Sequence, residues 1–241
     1  PERRNAMSAP MTAAWGRLAA AIKADQTVRS VVVTGAGTAF CSGGDTGWIG
    51  GDPDATVDEL RTKMMAFYRT WLSMRDVPVP VIAAINGPAV GAGACIALAA
   101  DVRIGSENAK FTVPFLKLGM HPGMATTYLL PEVVGVAAAR DLLFTGRVVG
   151  AKRMLELGLI SELLPADSFG ESARELGRSV AANAPIATRL TKSALLRGGM
   201  SSLEECIEWE AVAQPVTLAT ADLHEGLAAA REKRPANFAG K

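Results

Sequence analysis

The feature that most constrains the fold is a pattern that occurs twice, in which a short β-branched segment ends in a glycine-rich turn. Residues 29–34 are predicted to form a buried strand that ends at Gly35-Ala-Gly37, and residues 78–85 a second strand that ends at an Asn-Gly turn. The small apolar residues of 92–100 then predict a helix buried on all sides, because an exposed helix would carry a polar face. Strands alternating with helices over the first two thirds of the chain predict an α/β fold with parallel strands.

Periodic patterns predict the other elements. Residues 47–56 are rich in Gly and Asp and are expected to form a surface loop. From about residue 167 the chain is predicted to be helical, and Ser201 or Ser202 begins one of these helices with acidic residues in its first turn. The remaining predicted helices lie near 8–22, 57–75, 124–131, 136–145 and 151–157, and the short strands at 101–104, 110–113 and 160–163.

The composition excludes several classes of protein. Lys and Arg number 25 against 24 Asp and Glu, so a formal charge of +1 gives no reason to expect a nucleic acid or a membrane surface as partner. No stretch reaches the ~18 uninterrupted apolar residues of a membrane span. Cys41, Cys95 and Cys206 suggest no disulfide framework, and with only His121 and His224 as histidines we expect no metal site.

The first residues, Pro-Glu-Arg-Arg, lack the apolar core of a signal peptide. Together with the cysteine usage, this start predicts a cytoplasmic location. The start is also abrupt, so we expect further natural chain upstream, including a first strand.

The two glycine-rich corners could form one anion or oxyanion site. Glycine lets backbone N–H groups approach a ligand closely, and a helix N-terminus adds unpaired donors with a partial positive charge. Two such corners that face one point would stabilise a developing negative charge. The alternative is that both are tight turns packed for steric reasons. A nucleotide-phosphate site is poorly supported, because Phe40 stands where the third glycine of G-x-G-x-x-G would fall and no P-loop motif occurs.

Longer motifs, in order along nearly the whole chain, resemble the crotonase family, also called the enoyl-CoA hydratase/isomerase family. These motifs are PERRNAMS at 1–8, VVVTGAGTAFCSGGD at 31–45, PVIAAINGPAVGAG at 80–93, ADVRIGSENAKF at 100–111, GLISE at 158–162 and EGLAAAREKRP at 225–235. The resemblance implies a crotonase-like spiral of ββα units over residues 1–185, which carries the thioester site. It also implies a helical C-terminal region over 186–241 for a lid or trimerisation.

The same resemblance implies an acyl-CoA thioester as ligand, with coenzyme A as part of the substrate and no permanently bound cofactor. It implies self-association into a homotrimer or a dimer of trimers and a role in fatty acid metabolism as a lyase or isomerase. In this family two backbone N–H groups form the oxyanion hole, and their positions here are Gly44 and Ala92. The substrate-binding positions suggested by the motifs are Ala39, Phe40, Ser42, Asp45, Phe115 and Lys233.

Two of these residues have a second interpretation. Asp45 could reach the pocket, but its position after the corner favours a role in hydrogen bonding the loop. Lys233 resembles a residue that helps to hold coenzyme A phosphates, and it could equally be a solvated basic helix end.

The chain departs from the family pattern where proton transfer is expected. The two glutamates of family hydratases would fall at Cys95 and Phe115, and the aspartate of some other members near Gly123, so the usual acid/base groups are absent. His121 is the candidate acid or base, because an imidazole titrates near neutral pH and this one lies on a loop before a helix. The alternative is an ordinary loop histidine.

The expected function is therefore that of an acyl-CoA-processing enzyme of the hydratase/isomerase type, which stabilises a thioester enolate in an oxyanion hole. One alternative is a different reaction on the same scaffold, such as a decarboxylation or a carbon–carbon hydrolysis. Another is a non-catalytic acyl-CoA binder. The replacement of both glutamates keeps these alternatives open.

Overall fold

A computed structural model describes residues 1–45, 47, 53–198 and 202–241 of the chain. Half of the loop predicted at 47–56, residues 48–52, lies outside the described residues, as does Ser201. The chain divides into two compact units, the first formed by residues 1–24, 32–77 and 81–174 and the second by 25–31, 78–80 and 175–241. The second unit is mostly C-terminal, but it begins before the boundary proposed after residue 185 and includes two earlier segments.

The strands that the structure describes are β1 (Val31–Thr34), β2 (Val81–Ile85), β3 (Pro88–Val90), β4 (Val102–Ser106), β5 (Lys110–Thr112), β6 (Val149–Gly150) and β7 (Glu162–Leu164). They form two small sheets. The first sheet has the order β1-β2-β4-β7 and the second the order β3-β5-β6. The pairs β2/β4, β4/β7 and β3/β5 are parallel, whereas β5/β6 is antiparallel.

Helices connect and cover these strands, which confirms the prediction of an α/β fold with parallel strands. Two short 3₁₀ helices, Ser73–Asp76 and Phe115–Leu118, lie between the longer elements. The α-helices within the described residues are α1 (Ala9–Ala24), α2 (Val57–Leu72), α3 (Ala92–Ala99), α4 (Thr126–Thr145), α5 (Ala151–Glu156), α6 (Phe169–Ala181), α7 (Pro185–Gly198), α8 (Leu203–Leu218) and α9 (Ala221–Glu232).

The core of the first unit is built around β2 and α3. All five residues of β2 and all eight residues of α3 are buried, as expected for a β-branched segment and a helix without a polar face. Trp71 of α2 is fully buried, and its ring lies 4.8 Å from that of Trp15. This packing, with the hydrogen bonds of the two indole N–H groups, holds α1 and α2 together.

Some elements differ from the sequence-based expectations. The helices expected at 124–131 and 136–145 form one element, α4, which is interrupted at Gly135, where φ is +75°. A positive φ is easily adopted only by glycine, so this residue breaks the helical backbone. Strands β3 and β6 were not predicted, because segments of three and two residues are too short to show a period.

The second unit is mainly helical, as expected. Ser202 caps α8, and Ser202 and Glu205 form a reciprocal capping box, which resolves the choice between the two serines. The carboxylate of Asp222 near the start of α9 accepts hydrogen bonds from the N–H groups of Ala239 and Gly240 at 2.7 and 2.9 Å, and so fixes the C-terminal tail. No helix in the described ranges is long and apolar enough to cross a membrane.

Candidate functional site

The two glycine-rich corners lie side by side in the first unit. Cys41 and Ala89 form an isolated parallel β-bridge. The carbonyl oxygen of Pro88 accepts hydrogen bonds from the N–H groups of Phe40 and Cys41, both at 3.1 Å, and the Val90 N–H donates to the Cys41 carbonyl at 2.9 Å. The segments that follow β1 and β2 therefore run together as a short backbone ladder.

Glycine is required where the corners touch. A Cβ atom at Gly93 would lie 2.3 Å from the carbonyl oxygen of Cys41, and one at Gly43 would lie 2.8 Å from that of Val90. Gly43 also has a φ of +98°, which L side chains rarely adopt. Any side chain at these two positions would push the corners apart, which gives the glycine spacing of the sequence a direct steric reason.

The N–H groups of Gly44 and Ala92 come from these touching segments. Ala92 is the first residue of α3, and the Cβ position of Gly43 lies 3.5 Å from its nitrogen atom. Ala92 is absent from the non-glycine residues with positive φ, so its backbone has the ordinary helical sense. Within the described parts of the chain neither N–H donates a hydrogen bond. Open space surrounds the Cβ position of Gly91, the N-cap of α3.

Asn86 supports the first corner from the end of β2. Its Oδ1 accepts a hydrogen bond from the Gly35 N–H at 3.0 Å, and its Nδ2 donates to the carbonyl oxygens of Gly35 and Gly37 at 3.1 and 3.0 Å. Sequence reasoning assigned this residue only to a turn. Its amide in fact ties the turn after β2 to the turn after β1.

Asn5 supports the same corner from the N-terminal segment. Its Nδ2 donates to the carbonyl oxygens of Ala36 and Ala39 at 2.9 and 2.8 Å, and its own backbone has a φ of +56°. Asparagine tolerates the left-handed region of backbone conformation better than most residues. An asparagine in the N-terminal segment is therefore the sequence signal that could have identified Asn5. The side chains of Ala39 and Phe40 are buried beneath these contacts.

Asp45 and Ser42 bond to neighbouring chain segments. The carboxylate of Asp45 pairs with Arg3 at 2.6 Å and accepts a hydrogen bond from the Gly47 N–H at 3.0 Å. The Ser42 N–H donates to the Arg4 carbonyl at 3.0 Å, and its hydroxyl donates to that of Arg3 at 3.3 Å. Asp45 therefore has the loop-bonding role that its position favoured, and the N-terminal segment helps to hold the corner.

A cluster of side chains lies near the start of α3, and we call Cys95, Gly123, Thr126 and Tyr68 the Cys95 cluster. The sulfur of Cys95 lies 2.8 Å from the Thr126 hydroxyl and 3.2 Å from the carbonyl oxygen of Gly91, to which its thiol can donate. The Thr126 hydroxyl donates to the Gly123 carbonyl. Burial raises the pKa of Cys95 to about 12, so the thiol stays neutral and is a poor nucleophile.

The opposite edge of this cluster is the hydroxyl of Tyr68 on α2. A Cβ atom at Gly123 would lie 2.5 Å from Tyr68 Oη, so the missing side chain of Gly123 makes room for the phenol. Burial raises the pKa of Tyr68, and the negative charge of a Cys95 thiolate would raise it further. Sequence reasoning did not identify Tyr68, because nothing in the motif spacing connects it with residues 95 and 123.

The structure places the other predicted residues as follows. Phe115 is buried in the 3₁₀ helix Phe115–Leu118. His121 is exposed, and its Nδ1 lies 2.8 Å from the Pro122 carbonyl, so that a neutral ring donating from Nδ1 leaves Nε2 as an acceptor. Lys233 belongs to the second unit, where it ends α9 with a φ of +53° and is exposed. Among the described residues no group of His, Cys, Asp and Glu could hold a metal ion.

Comparisons with known proteins agree along the entire chain. A family model described as enoyl-CoA hydratase/isomerase matches residues 1–241. The chain is 33% identical over 242 residues to the 1,2-epoxyphenylacetyl-CoA isomerase of Escherichia coli, with 100% of this chain and 92% of that protein covered. It is 31% identical over 235 residues to the short-chain-enoyl-CoA hydratase of Clostridium acetobutylicum, with 97% and 89% covered.

Solved structures show the same likeness. The crystal structure of an enoyl-CoA hydratase from Bacillus anthracis matches with a TM-score of 0.93 and 33% identity, and covers 100% of this chain and 92% of that one. This confirms the predicted crotonase fold, in which an α/β part with parallel strands is followed by C-terminal helices.

Proposed function

The chain belongs to the enoyl-CoA hydratase/isomerase family, and we propose that it is an enzyme that binds an acyl-CoA thioester with its carbonyl oxygen between the N–H groups of Gly44 and Ala92. The observation that carries this proposal is the contact of the two corners, which brings into one region of the first unit two backbone donors, neither of which bonds to another described residue. Two relatives bear names of reactions on CoA thioesters. Coenzyme A then enters as part of the substrate, and no permanently bound cofactor is required.

The proposed chemistry follows from the position of these donors. When a proton leaves the α-carbon of a thioester, or a nucleophile adds at the β-carbon, negative charge moves onto the carbonyl oxygen. Fixed N–H groups stabilise that charge without reorganising, and each contributes about 2.7–4 kcal/mol to the transition state. Ala92 can serve as well as a glycine would, because the donor is its backbone and not its side chain.

His121 is the proposed acid or base. Its Nδ1 contact with Pro122 leaves Nε2 able to accept a proton, and the ring is exposed rather than locked in the core. Cys95 is unsuited to this task, because its thiol is fully buried and its pKa is raised to about 12. The aromatic ring of Phe115 has no ionisable group. The substrate-binding roles of Ala39, Phe40, Ser42, Phe115 and Lys233 remain part of the same proposal, whereas Asp45 bonds to its own loop and to Arg3.

A non-catalytic acyl-CoA binder is the second candidate. It is favoured by the neutral, buried thiol of Cys95 and by Phe115, which stand where family hydratases carry glutamates. Such a protein would keep the thioester site and lack turnover. A decarboxylase or a carbon–carbon hydrolase would keep both the site and turnover, but on other acyl groups.

We further propose that the protein assembles as a homotrimer or a dimer of trimers, in the cytoplasm, and acts in fatty acid metabolism. Support for self-association comes from large apolar side chains that the C-terminal helices expose, among them Leu195, Leu203 and Val212 at 73%, 78% and 67% exposure. Sedimentation of the full chain as a stable monomer would contradict this assembly.

The function is tested by thermal-shift and turnover measurements with coenzyme A, crotonyl-CoA, longer enoyl-CoAs and malonyl-type CoAs. We expect thioesters to raise the melting temperature more than coenzyme A does, and at least one to be turned over. The His121→Ala variant should lose turnover by on the order of a hundredfold if the imidazole transfers the proton. No shift with any of these compounds would refute the thioester site, and a shift without turnover would favour the binder.

A further inference from the structure

The second unit contains a polar cavity that is separate from the proposed thioester donors of the first unit. Its volume is about 350 Å³, and three segments of the second unit line it, within residues 26–29, 185–189 and 239–240. Two of the lining side chains, those of Arg29 and Arg189, are guanidinium groups, and none of the described lining residues is acidic. The cavity therefore collects positive charge without a matching negative charge on its walls, as expected of an anion site.

Arg29 has more N–H donors than the described chain uses. Its Nη2 donates to the carbonyl oxygen of Phe238 at 2.8 Å, and its other N–H groups bond to no described residue. No described carboxylate lies within 4 Å of this guanidinium, and a backbone carbonyl does not neutralise its charge. A guanidinium presents five N–H groups in a planar fork that fits the oxygen atoms of a phosphate group, so Arg29 can bind such a group beside its bond to the tail.

Arg189, on the first turn of α7, bonds to a single neutral residue. Its Nη1 and Nη2 donate to the side-chain oxygen and the backbone carbonyl of Gln26 at 2.8 and 2.9 Å. Its Nε is buried and has no acceptor among the described residues. These contacts hold the guanidinium in place at the cavity but supply no counter-charge, and a partly desolvated cation gains most from an anionic partner.

Two carboxylates lie beside the lining segments, and both are already bound. That of Asp25 accepts hydrogen bonds from the N–H and the hydroxyl of Thr27 at 2.8 and 2.6 Å. That of Asp222 accepts the two N–H groups of the C-terminal tail. Neither forms an ion pair with an arginine of the cavity in the described chain. Helix α7, in contrast, begins at Pro185 on the cavity wall, and the N-terminus of a helix adds partial positive charge.

We propose that this cavity binds a phosphate-type anion, either inorganic phosphate or the phosphoryl group of a small phosphate ester, between the guanidinium groups of Arg29 and Arg189. A phosphoryl group carries a charge of about −1.5 to −2 at neutral pH and so matches two guanidinium groups, whereas a carboxylate carries only one negative charge. The bound anion links the three lining segments and stabilises the second unit. The site is independent of the thioester donors Gly44 and Ala92, which belong to the first unit.

Calorimetric titration of the full chain with inorganic phosphate, at pH 7.5 and at an ionic strength held constant with sodium chloride, tests the proposal. The wild-type chain should bind one phosphate per chain with a dissociation constant of about 1 mM or lower. Arg29→Gln and Arg189→Gln should each weaken this binding by about tenfold or more, because each removes a charge-assisted contact. Arg178→Gln is the matched control, since it removes an exposed arginine of the same unit that pairs with Glu175, and its phosphate affinity should stay within about twofold of the wild-type value.

Further titrations separate this site from the others that an anion could occupy. Butyryl-CoA should bind the wild-type and Arg189→Gln chains equally, and coenzyme A should not displace phosphate. Glycerol 3-phosphate distinguishes the two sources, because tighter binding than that of inorganic phosphate indicates an ester and weaker binding indicates the free anion. The proposal is overturned if the wild-type chain shows no saturable phosphate binding, if a folded Arg189→Gln chain keeps the wild-type affinity, if acetate binds as tightly as phosphate, or if coenzyme A competes for the site.

Discussion

The two glycine-rich corners and the Cys95 cluster are neighbouring parts of the first unit that are built in different ways. The corners are held by backbone hydrogen bonds and by the amides of Asn5 and Asn86. The Cys95 cluster consists instead of a thiol and two hydroxyls, those of Cys95, Thr126 and Tyr68, packed against the bare Cα of Gly123. A backbone donor survives a change of side chain, as at Ala92, whereas an acid or base does not. The ligand class therefore follows from the corners and the reaction from the side chains around them.

The largest loss of stability and of thioester binding should come from a substitution that separates the two corners. Gly93→Ala would place a Cβ atom 2.3 Å from the carbonyl oxygen of Cys41, and a backbone atom cannot rotate away as a side chain can. We expect a loss of about 2–3 kcal/mol in the free energy of unfolding, as for other overpacked interiors. Thioester binding should be lost as well, because the shift moves the N–H of Ala92. Urea unfolding and calorimetry with butyryl-CoA measure the two effects.

Gly170→Ala on α6 is the matched control. Apart from its chain neighbours and its own helix backbone, no described heavy atom lies within 4 Å of the Cβ position of Gly170, and its backbone is helical, so this change should stabilise the chain by about 0.5–1 kcal/mol. A Gly93→Ala protein with the stability and thioester affinity of the wild type would show that the contact between the corners does not position the donors.

A smaller effect is expected when the amide between the corners is removed. Asn86→Ala leaves the Gly35 N–H without its acceptor and should lower the free energy of unfolding by about 1–3 kcal/mol. Affinity for thioesters should fall more than affinity for coenzyme A alone, since only the former uses the corner donors. Asn108→Ala, at an exposed position, should change stability by less than about 0.5 kcal/mol. Equal losses of affinity for thioesters and for coenzyme A would show that Asn86 does not help to position the corner donors.

The effect that is smallest at neutral pH concerns the buried thiols, because it appears only at alkaline pH. Burial raises the pKa of Cys41 from 9.0 to about 11 and that of Cys95 from 9.0 to about 12. Between these values the folded chain keeps protons that the unfolded chain has released. The free energy of unfolding should therefore fall as pH rises above about 9, by up to about 1.4 kcal/mol per pH unit for each thiol.

The Cys95→Ala variant should weaken this alkaline loss, and Cys206→Ala, on α8 of the second unit, is its control. Urea unfolding between pH 8 and pH 10.5 measures the slopes, with butyryl-CoA absent. If the free energy of unfolding of Cys95→Ala falls with pH as steeply as that of the wild type, the thiol is not protected as the structure indicates. The contrast between corners held by backbone hydrogen bonds and a desolvated side-chain cluster would then lose support.

Much of the fold could be predicted because its signals are local. The β-branched segment of β2 and the apolar residues of α3 show their burial in the sequence, and the structure confirms both. The close approach of the corners was implied by glycine spacing. The support by Asn5 and the position of Tyr68 were not predicted, because they depend on contacts with residues 31 or more positions away in the first case and on the absent side chain of Gly123 in the second.

The central claim, that the Ala92 N–H binds the thioester carbonyl, is tested most directly by infrared spectroscopy of bound butyryl-CoA labelled with carbon-13 at that carbonyl. Ala92→Pro removes the N–H at the first position of a helix, where proline is tolerated, and Ala221→Pro makes the same change at the start of α9 as a control. We predict that binding lowers the carbonyl stretching frequency in the wild-type and Ala221→Pro chains, and that Ala92→Pro abolishes this shift. An undiminished shift in a folded Ala92→Pro protein would contradict the claim.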